Sequence, residues 1–279
     1  MNQPSRSPRH AAHRRRKRRH PLRRVLGFTA LLCVAAGSIS FVLARQTGFP
    51  SAHAVPEAPA QSAPEQSGPF TAAEAQAMLA DPRMVLVNHT NKMPDDYTFT
   101  TKTCGSATAI NKELQTEAAD AFLAMQAAAA QDGVTVWMQS GYRSVAYQSD
   151  LYERKTNYFL GKGLSEEEAR RQAATIVNPP GYSEHNCGLA ADLNCPEYAE
   201  LDKGFENTEA FRWLCSHAEE YGFILRYPKE SEAVTEITYE PWHWRYVGAE
   251  NARLLNASGL CFEEAIAAMR ALTAALPNE

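Results

Sequence analysis

A run of twenty residues without a charged side chain, Val25 to Ala44, divides this chain of 279 residues into separate parts. Twenty predominantly apolar residues form a helix long enough to span the hydrocarbon core of a bilayer. Ten of the 28 Lys and Arg residues precede the run in residues 1–24, and no acidic residue does. Because basic flanks stay in the cytoplasm, we expect a cytoplasmic tail at 1–24, a single-pass anchor at 25–44 and an extracytoplasmic remainder.

The N-terminal segment also allows other interpretations. Ala52-His53-Ala54 has the pattern of a signal-peptidase site, which would make the run a cleaved signal peptide. That site lies well past the run, and the run is long for a signal peptide, so the anchor is favoured. A weak twin-arginine signal at Arg23-Arg24 ranks third. The basic stretch Arg14 to Arg19 could also suggest an arm that binds nucleic acid. Because it precedes an apolar run, we favour a role in setting the membrane topology and in contacting anionic lipid. An added regulatory role for the tail stays open, and no nucleic-acid partner is expected.

Residues 45–70 are rich in Pro, Ala, Ser and Gln and contain few bulky apolar side chains. Such a segment cannot bury enough surface to fold alone, so it predicts a linker. The folded domain is expected at 71–279, a length that suits one domain. Beyond residue 24 the chain carries 18 basic and 32 acidic side chains, a net charge of −14. We expect this domain to be monomeric.

Helical and strand patterns are intermixed in this domain without regular βαβ repetition. Thr71-Ala72-Ala73-Glu74 has the pattern of a capping box, and Ser165 is suited to cap a helix. With helical spacing of apolar residues, these signals predict helices near residues 71–79, 111–131, 144–160, 164–177 and 209–221. Runs of apolar and β-branched residues predict strands near 84–88, 134–142, 188–193, 223–228 and 242–248. This mixture favours an α+β fold with a small antiparallel sheet flanked by helices.

Two separated segments supply side chains that could hold a metal ion. His185 and Asp192 flank a stretch of small residues, and a strand there would place Asp192 opposite the face of Leu189 and Leu193. Glu240 and His243 follow about fifty residues later. His185, Asp192 and His243 are as many ligands as a catalytic zinc uses while keeping an open position. Glu240 is then a spare carboxylate that can move a proton, which fits peptide hydrolysis.

Each of these residues taken singly has a more common structural explanation. A lone histidine is usually hydrogen-bonded in a core or at a surface, and an aspartate often caps a turn. The stretch "PWHWRY" could be an aromatic core strand. The metal-site hypothesis therefore depends on the combination of residues and not on any one of them.

The combination matches a family pattern. S-x-H-x-x-G-x-A-x-D is present as Ser183, His185, Gly188, Ala190 and Asp192, and E-x-x-H follows. The chain resembles the zinc D-alanyl-D-alanine carboxypeptidases of the VanY type, in the wider LAS group of peptidases. Further segments match in family order between about Met84 and Gly248, among them "VNHTNKMPDDY", "SGYRSVAYQSDLY", "NPPGYSEH" and "GFILRYP".

The resemblance implies a LAS/hedgehog-like zinc peptidase fold and a role for each matching residue. Zn²⁺ would be held by His185, Asp192 and His243, with Glu240 as the general acid and base. Arg143 matches the arginine that binds substrate near the scissile carbonyl, and a guanidinium there suits a developing oxyanion or a terminal carboxylate. Outside the motif, a surface ion pair would be the default for this arginine. Two further residues match positions that line the same pocket: Gln148 and Ser183.

The predicted function is removal of the C-terminal D-alanine from peptidoglycan stem peptides by an anchored extracytoplasmic enzyme. An L,D-carboxypeptidase that trims tetrapeptide stems is the alternative within the class, because both reactions use the same zinc chemistry. A non-catalytic domain that binds the cell wall through a structural zinc site is the alternative from another class. Glu240 argues against the latter, since a structural site does not need a spare carboxylate.

Overall fold

The computed structural model describes residues 68–276, which form an α+β domain. The helices of this part are α1 (Ala72–Ala80), α2 (Thr116–Gln131), α3 (Val145–Leu160), α4 (Glu166–Ala174), α5 (Glu209–His217), α6 (Glu232–Thr235), α7 (Ala249–Ser258) and α8 (Phe262–Ala274). The strands are β1 (Thr101–Thr103), β2 (Glu113–Gln115), β3 (Trp137–Ser140), β4 (Ala190–Asn194), β5 (Phe223–Leu225) and β6 (His243–Tyr246).

The predicted tail at 1–24 and the predicted anchor at 25–44 lie outside the described residues, as does most of the predicted linker at 45–70. Between residues 68 and 276, no helix has the length and apolar character needed to cross a bilayer. Phe70, at the end of the predicted linker, is buried and packs in a core cluster with α1 and α8.

A four-stranded antiparallel sheet with the order β3-β4-β6-β5 organises the domain. Its central strand β4 is buried along its whole length. Leu193 and Ala191 point to the side where α2 contributes Phe122 and Met125 to the main core cluster. Asp192 lies on the other side, because alternate residues of a strand face opposite ways. One face of the sheet is therefore apolar core, and the other is free to carry chemistry.

A second apolar cluster joins both ends of the described chain. Met78 of α1, Leu255 of α7 and Ile266 of α8 pack together in it. A separate two-stranded antiparallel sheet, β1 with β2, precedes α2. The predicted α+β fold with a small antiparallel sheet and flanking helices is confirmed.

Several predicted elements are confirmed with shorter bounds. Thr71 caps α1 with the reciprocal capping box that the sequence predicts, and Ser144 and Ser165 cap α3 and α4. The predicted helix at 209–221 is α5 followed by the 3-10 helix Ala218–Tyr221.

Two predicted elements are wrong. Residues 84–88 are not a strand: Met84 ends the 3-10 helix Pro82–Met84, and Asn88 makes only an isolated bridge with Asn91. The carbonyl of Val85 accepts instead from the guanidinium of Arg245 at 2.9 Å. The helix predicted from residue 111 begins at Thr116, because residues 113–115 form β2 and pair with β1.

Candidate metal centre and active site

The register of the sheet places two predicted ligands side by side. Asp192 of β4 pairs directly with His243 of β6, and opposed residues in an antiparallel pair project from the same face. Oδ1 of Asp192 lies 3.3 Å from Nδ1 of His243. Both side chains are buried. The pairing of the two central strands therefore fixes the spacing of these ligands.

The third predicted ligand comes from the 3-10 helix Glu184–Cys187, which leads into β4. Gly188 ends this helix in the left-handed region with φ +69°, which favours glycine. Nε2 of His185 lies 3.3 Å from Oδ1 of Asp192, and Nδ1 contacts the carbonyl oxygen of Gly141 at 2.7 Å. A Cβ on Gly141 would overlap the carbonyl oxygen of Glu113, so only glycine lets this carbonyl reach the ring.

The hydrogen bond to Gly141 decides what the other nitrogen of His185 can do. A carbonyl oxygen only accepts, so Nδ1 carries the proton and Nε2 of the neutral ring presents a lone pair. That lone pair faces Oδ1 of Asp192, also an acceptor, and neither atom has a hydrogen-bond partner among the described residues. Two buried acceptors that face each other are costly unless a proton or a metal ion lies between them, and the single proton of the neutral ring is already directed at Gly141.

The geometry fits zinc. Ligands bonded at 2.0–2.1 Å to a tetrahedral ion lie about 3.3 Å from one another. His185 and His243 each place a nitrogen at that distance from Oδ1 of Asp192. All three ligand atoms lie within 4.8 Å of one another. These three residues are therefore able to hold one tetrahedral ion and leave its fourth position open.

The electrostatics of the three side chains favour a cation. Burial and, to a smaller extent, the guanidinium of Arg143 lower the pKa of His185 to about 4, although Asp192 opposes them, so this ring is neutral near pH 7. Although burial opposes the shift, the two histidines hold the pKa of Asp192 well below its usual range. For His243, burial lowers the pKa, but Asp192 and Glu184 outweigh burial and raise it to about 9. Near pH 7 the three side chains are therefore a neutral ring, an ionised carboxylate and a protonated ring, and a metal ion would displace the proton of His243.

Glu240 stands beside the three ligands without being one of them. Its Oε2 lies 3.6 Å from Nδ1 of His243, and its backbone N–H donates to the carbonyl of Tyr227 at 3.2 Å. Burial raises the pKa of its carboxyl to about 8, although His243 and Arg143 lower it. A carboxyl with such a pKa can both accept and return a proton near neutral pH.

The three predicted substrate-contacting residues line the same pocket as His185, Glu240 and His243. Nη2 of Arg143 lies 3.9 Å from Oδ2 of Asp192, and its Nε has no partner in the part of the chain that the structure describes. Gln148 is buried, donates from Nε2 to the carbonyl of Asn178 at 2.7 Å, and keeps Oε1 unpaired within residues 68–276. Ser183 precedes the 3-10 helix. All seven predicted site residues therefore converge.

Comparison with known proteins identifies the family. A family model described as "VanY: D-alanyl-D-alanine carboxypeptidase" matches residues 111–249. A D-alanyl-D-alanine carboxypeptidase of Enterococcus faecalis is 34% identical over 203 residues, which cover 72% of this chain and 71% of the relative. The chain belongs to the VanY family.

Two solved structures extend this similarity. A mutant of the vancomycin resistance D,D-pentapeptidase VanY, in complex with Zn(II), is 32% identical, with a TM-score of 0.57 over 66% of this chain and 98% of that one. The LdcB LD-carboxypeptidase, described as revealing peptidoglycan recognition, is also 32% identical, with a TM-score of 0.56 over 65% of this chain and 84% of that one.

Three residues of this VanY-family site were missed from the sequence. Gly141 orients His185 through its carbonyl, Tyr227 packs its ring 4.8 Å from that of His243, and Glu184 places Oε2 3.5 Å from Nε2 of the same histidine. The signal for Glu184 was present in the arginines of "ILRYP" and "HWRY". A charged residue inside an apolar strand pattern needs a buried partner of opposite charge.

Cys187, which lies between His185 and Asp192 in the chain, is not part of the ligand cluster. Its buried thiol donates to the carbonyl of Glu184 at 3.0 Å. None of the five cysteines among residues 68–276 is in a disulfide.

Proposed function

We propose that this chain is a zinc-dependent D,D-carboxypeptidase that removes the C-terminal D-alanine from peptidoglycan stem peptides. The observation that carries the proposal is the pair of unpartnered buried acceptors, Nε2 of His185 and Oδ1 of Asp192, 3.3 Å apart. The substrate class follows from membership of the VanY family. The pocket beside these atoms contains Glu240, the proposed acid and base.

His185, Asp192 and His243 would hold the zinc ion. When bound, the ion supplies Lewis acidity toward the scissile carbonyl and lowers the pKa of water. The chain supplies the rest of the chemistry. The hydrogen bond from His185 to Gly141 fixes the ring orientation before any ion binds, so little reorganisation accompanies metal binding.

Glu240 carries the proton through the reaction. Its carboxylate takes a proton from the attacking water while the water oxygen forms a bond to the carbonyl carbon. The protonated carboxyl then gives that proton to the nitrogen of the leaving D-alanine as the C–N bond breaks. Its raised pKa of about 8 is suited to both steps. The products are free D-alanine and a stem shortened by one residue.

Arg143 supplies positive charge beside the reacting carbonyl. Its backbone is tied to the zinc motif, because its N–H donates to the carbonyl of His185 at 3.0 Å and its carbonyl accepts from Asn186 at 2.8 Å. The guanidinium is thereby placed to stabilise oxyanion charge or to bind the substrate carboxylate. Gln148 and Ser183 line the same pocket and would contact the peptide.

The similarity to the LdcB LD-carboxypeptidase favours one second candidate, an L,D-carboxypeptidase that trims tetrapeptide stems. The two activities differ in the residue on the amino side of the cleaved bond, which is D-alanine in one case and an L-centre in the other. The zinc ligands and Glu240 would serve both.

Mass spectrometry of synthetic stems incubated with the zinc-loaded chain tests the proposal. We expect loss of one D-alanine from a pentapeptide stem. Cleavage of the tetrapeptide alone would replace the proposal by the L,D alternative. Binding of both stems without cleavage would support a non-catalytic wall-binding domain.

We also propose that Val25 to Ala44 anchors the protein in the cell membrane as a single span, with the domain at 71–279 outside the cytoplasm. The uncharged run and its ten basic flanking residues support this. The full-length chain should then stay in the membrane fraction. Recovery of a soluble form that begins near Val55 would show a cleaved signal peptide instead.

A further inference from the structure

The metal ligand His243 has a second contact on the side away from the proposed ion. Its Nδ1 faces Asp192, while its Nε2 faces Oε2 of Glu184 at 3.5 Å. Neither of these two atoms has a hydrogen-bond partner within the described residues, so each is available to the other. The carboxylate therefore directs one oxygen to the histidine ring and to nothing else that the structure describes.

Two arginines hold the other oxygen of Glu184. Nε of Arg226 lies 2.7 Å and Nη1 of Arg245 lies 2.9 Å from Oε1. All three side chains are fully buried. An uncompensated charge at such a site would be costly, so this carboxylate is secured by its arginines independently of the histidine.

The arginines are in turn fixed by the rest of the domain. Arg226 donates to both oxygens of Glu263 on α8, at 2.8 and 2.5 Å. Arg245 donates from Nη2 to the carbonyls of Arg83 and Val85, at 2.7 and 2.9 Å. The cluster contains two guanidinium groups and two carboxylates, so its formal charges balance without a contribution from His243.

We propose that Glu184 is a positioning residue for His243: its Oε2 accepts the Nε2 proton and so keeps the Nδ1 lone pair directed at the zinc ion. The proposal rests on the proposed zinc site. It differs from the contact to His185, where a backbone carbonyl performs the same task through the opposite nitrogen. Outer partners of this kind typically change metal affinity about 10–100-fold when they are mutated.

Glu184→Gln is the decisive variant. The two arginines require an acceptor at Oε1, so the new amide must turn its NH₂ group toward His243. A donor then faces the Nε2 proton. We expect the zinc dissociation constant of the full-length chain, measured by competition with a chelator, to rise about 10–100-fold. We also expect the solvent-protected Nε2 proton of zinc-bound His243 to disappear from the imidazole region of the ¹H–¹⁵N spectrum.

Glu263→Gln is the matched control. It also removes one negative charge from the cluster and one carboxylate partner from Arg226. Unlike Glu184, however, Glu263 has no contact with His243 in the described structure. Its zinc affinity and its Nε2 proton signal should stay at wild-type values, whatever its cost in stability. Equal losses of affinity in the two variants would overturn the proposal in favour of a purely structural cluster.

Glu184→Asp keeps the proposal testable if the Gln variant does not fold. The shorter carboxylate retains the charge that the arginines need but withdraws from the histidine by one methylene, so zinc affinity should again fall. Wild-type affinity in this variant would overturn the positioning role. A wild-type chain that binds no zinc would overturn the proposed function itself, which is a separate and distinguishable outcome.

Discussion

At the scale of single residues, Glu240 combines burial with proximity to the ligand His243. Its Oε2 lies 3.6 Å from the nearest histidine nitrogen, and it is not needed to complete the ligand set. This arrangement separates proton transfer from metal binding. The two roles are therefore open to separate tests.

Glu240→Gln keeps the size of the side chain but cannot accept a proton at neutral pH. We expect zinc content near wild type and release of D-alanine slowed about 10²–10⁴-fold, because a positioned acid and base contributes that much. Metal analysis and a D-alanine release assay measure the two quantities. Loss of zinc would make Glu240 a ligand, and full activity would place the base elsewhere.

Gly141→Ala tests the close approach that orients His185. The added methyl group would overlap the carbonyl oxygen of Glu113, so we expect a loss of about 1–3 kcal/mol in stability together with weaker zinc binding. Urea unfolding and chelator competition measure these effects. Gly68→Ala is the control, because a Cβ there meets no atom within 4 Å. Equal stability and equal zinc affinity in the two variants would contradict the steric requirement for glycine at position 141.

At the scale of elements, Asp81 joins α1, the 3-10 helix Pro82–Met84 and α7. Its carboxylate accepts from the backbone N–H of Arg83 at 2.8 Å and from Asn251 of α7 at 2.8 Å. Burial raises the pKa of Asp81, but Arg83 and Asn251 outweigh burial and leave it lowered.

Asp81→Asn should therefore destabilise the protein in a pH-dependent manner. A carboxyl whose pKa is lower in the folded state stabilises that state above its unfolded pKa of about 3.9 and loses the effect as the pH falls through the folded value. We expect a loss of about 2 kcal/mol at pH 7 that shrinks below pH 4. Urea unfolding at both pH values is the measurement. Asp95→Asn, at an exposed carboxylate, should show little change, and a pH-independent loss in the Asp81 variant would refute the linkage.

The sequence predicted those elements whose signals are local. The capping box at Thr71 and the serine cap of α4 depend on neighbours three residues apart, and both are present. The strand predicted at 84–88 was wrong: its Val85 carbonyl accepts from Arg245, about 160 residues away in the chain, and not from a neighbouring strand. No local pattern contains that information.

The same distinction holds for the site. The ligands His185, Asp192 and His243 and the pocket residues were predictable because motif spacing and family resemblance point to them. The supporting contacts of Gly141 and Glu184 were not, since each depends on how distant segments pack. Arg226 and Arg245 were visible in the sequence as charges in apolar strands, but their common partner was not.

At the scale of the whole molecule, two unsatisfied acceptor atoms of the metal site make the free energy of unfolding depend on the metal. Without a cation, Nε2 of His185 and Oδ1 of Asp192 remain buried and unsatisfied, and a ligand that binds only the folded state stabilises it. We expect a strong chelator to lower Tm and added zinc to restore it, as measured by calorimetry. The Tm of His185→Ala should not respond to either treatment. An unchanged wild-type Tm would contradict the zinc site.

The order of strands in the sheet also determines when the site can form during folding. β4 pairs with β3 and β6, and each of these partners is about fifty residues away along the chain. Pairing between such distant segments carries a high contact order and is slow, because a long loop must close first. During refolding, zinc uptake should therefore not precede the burial of Trp244, the neighbour of His243. A nascent chain that ends before β6 holds two ligands of the three and has no high-affinity place for the ion.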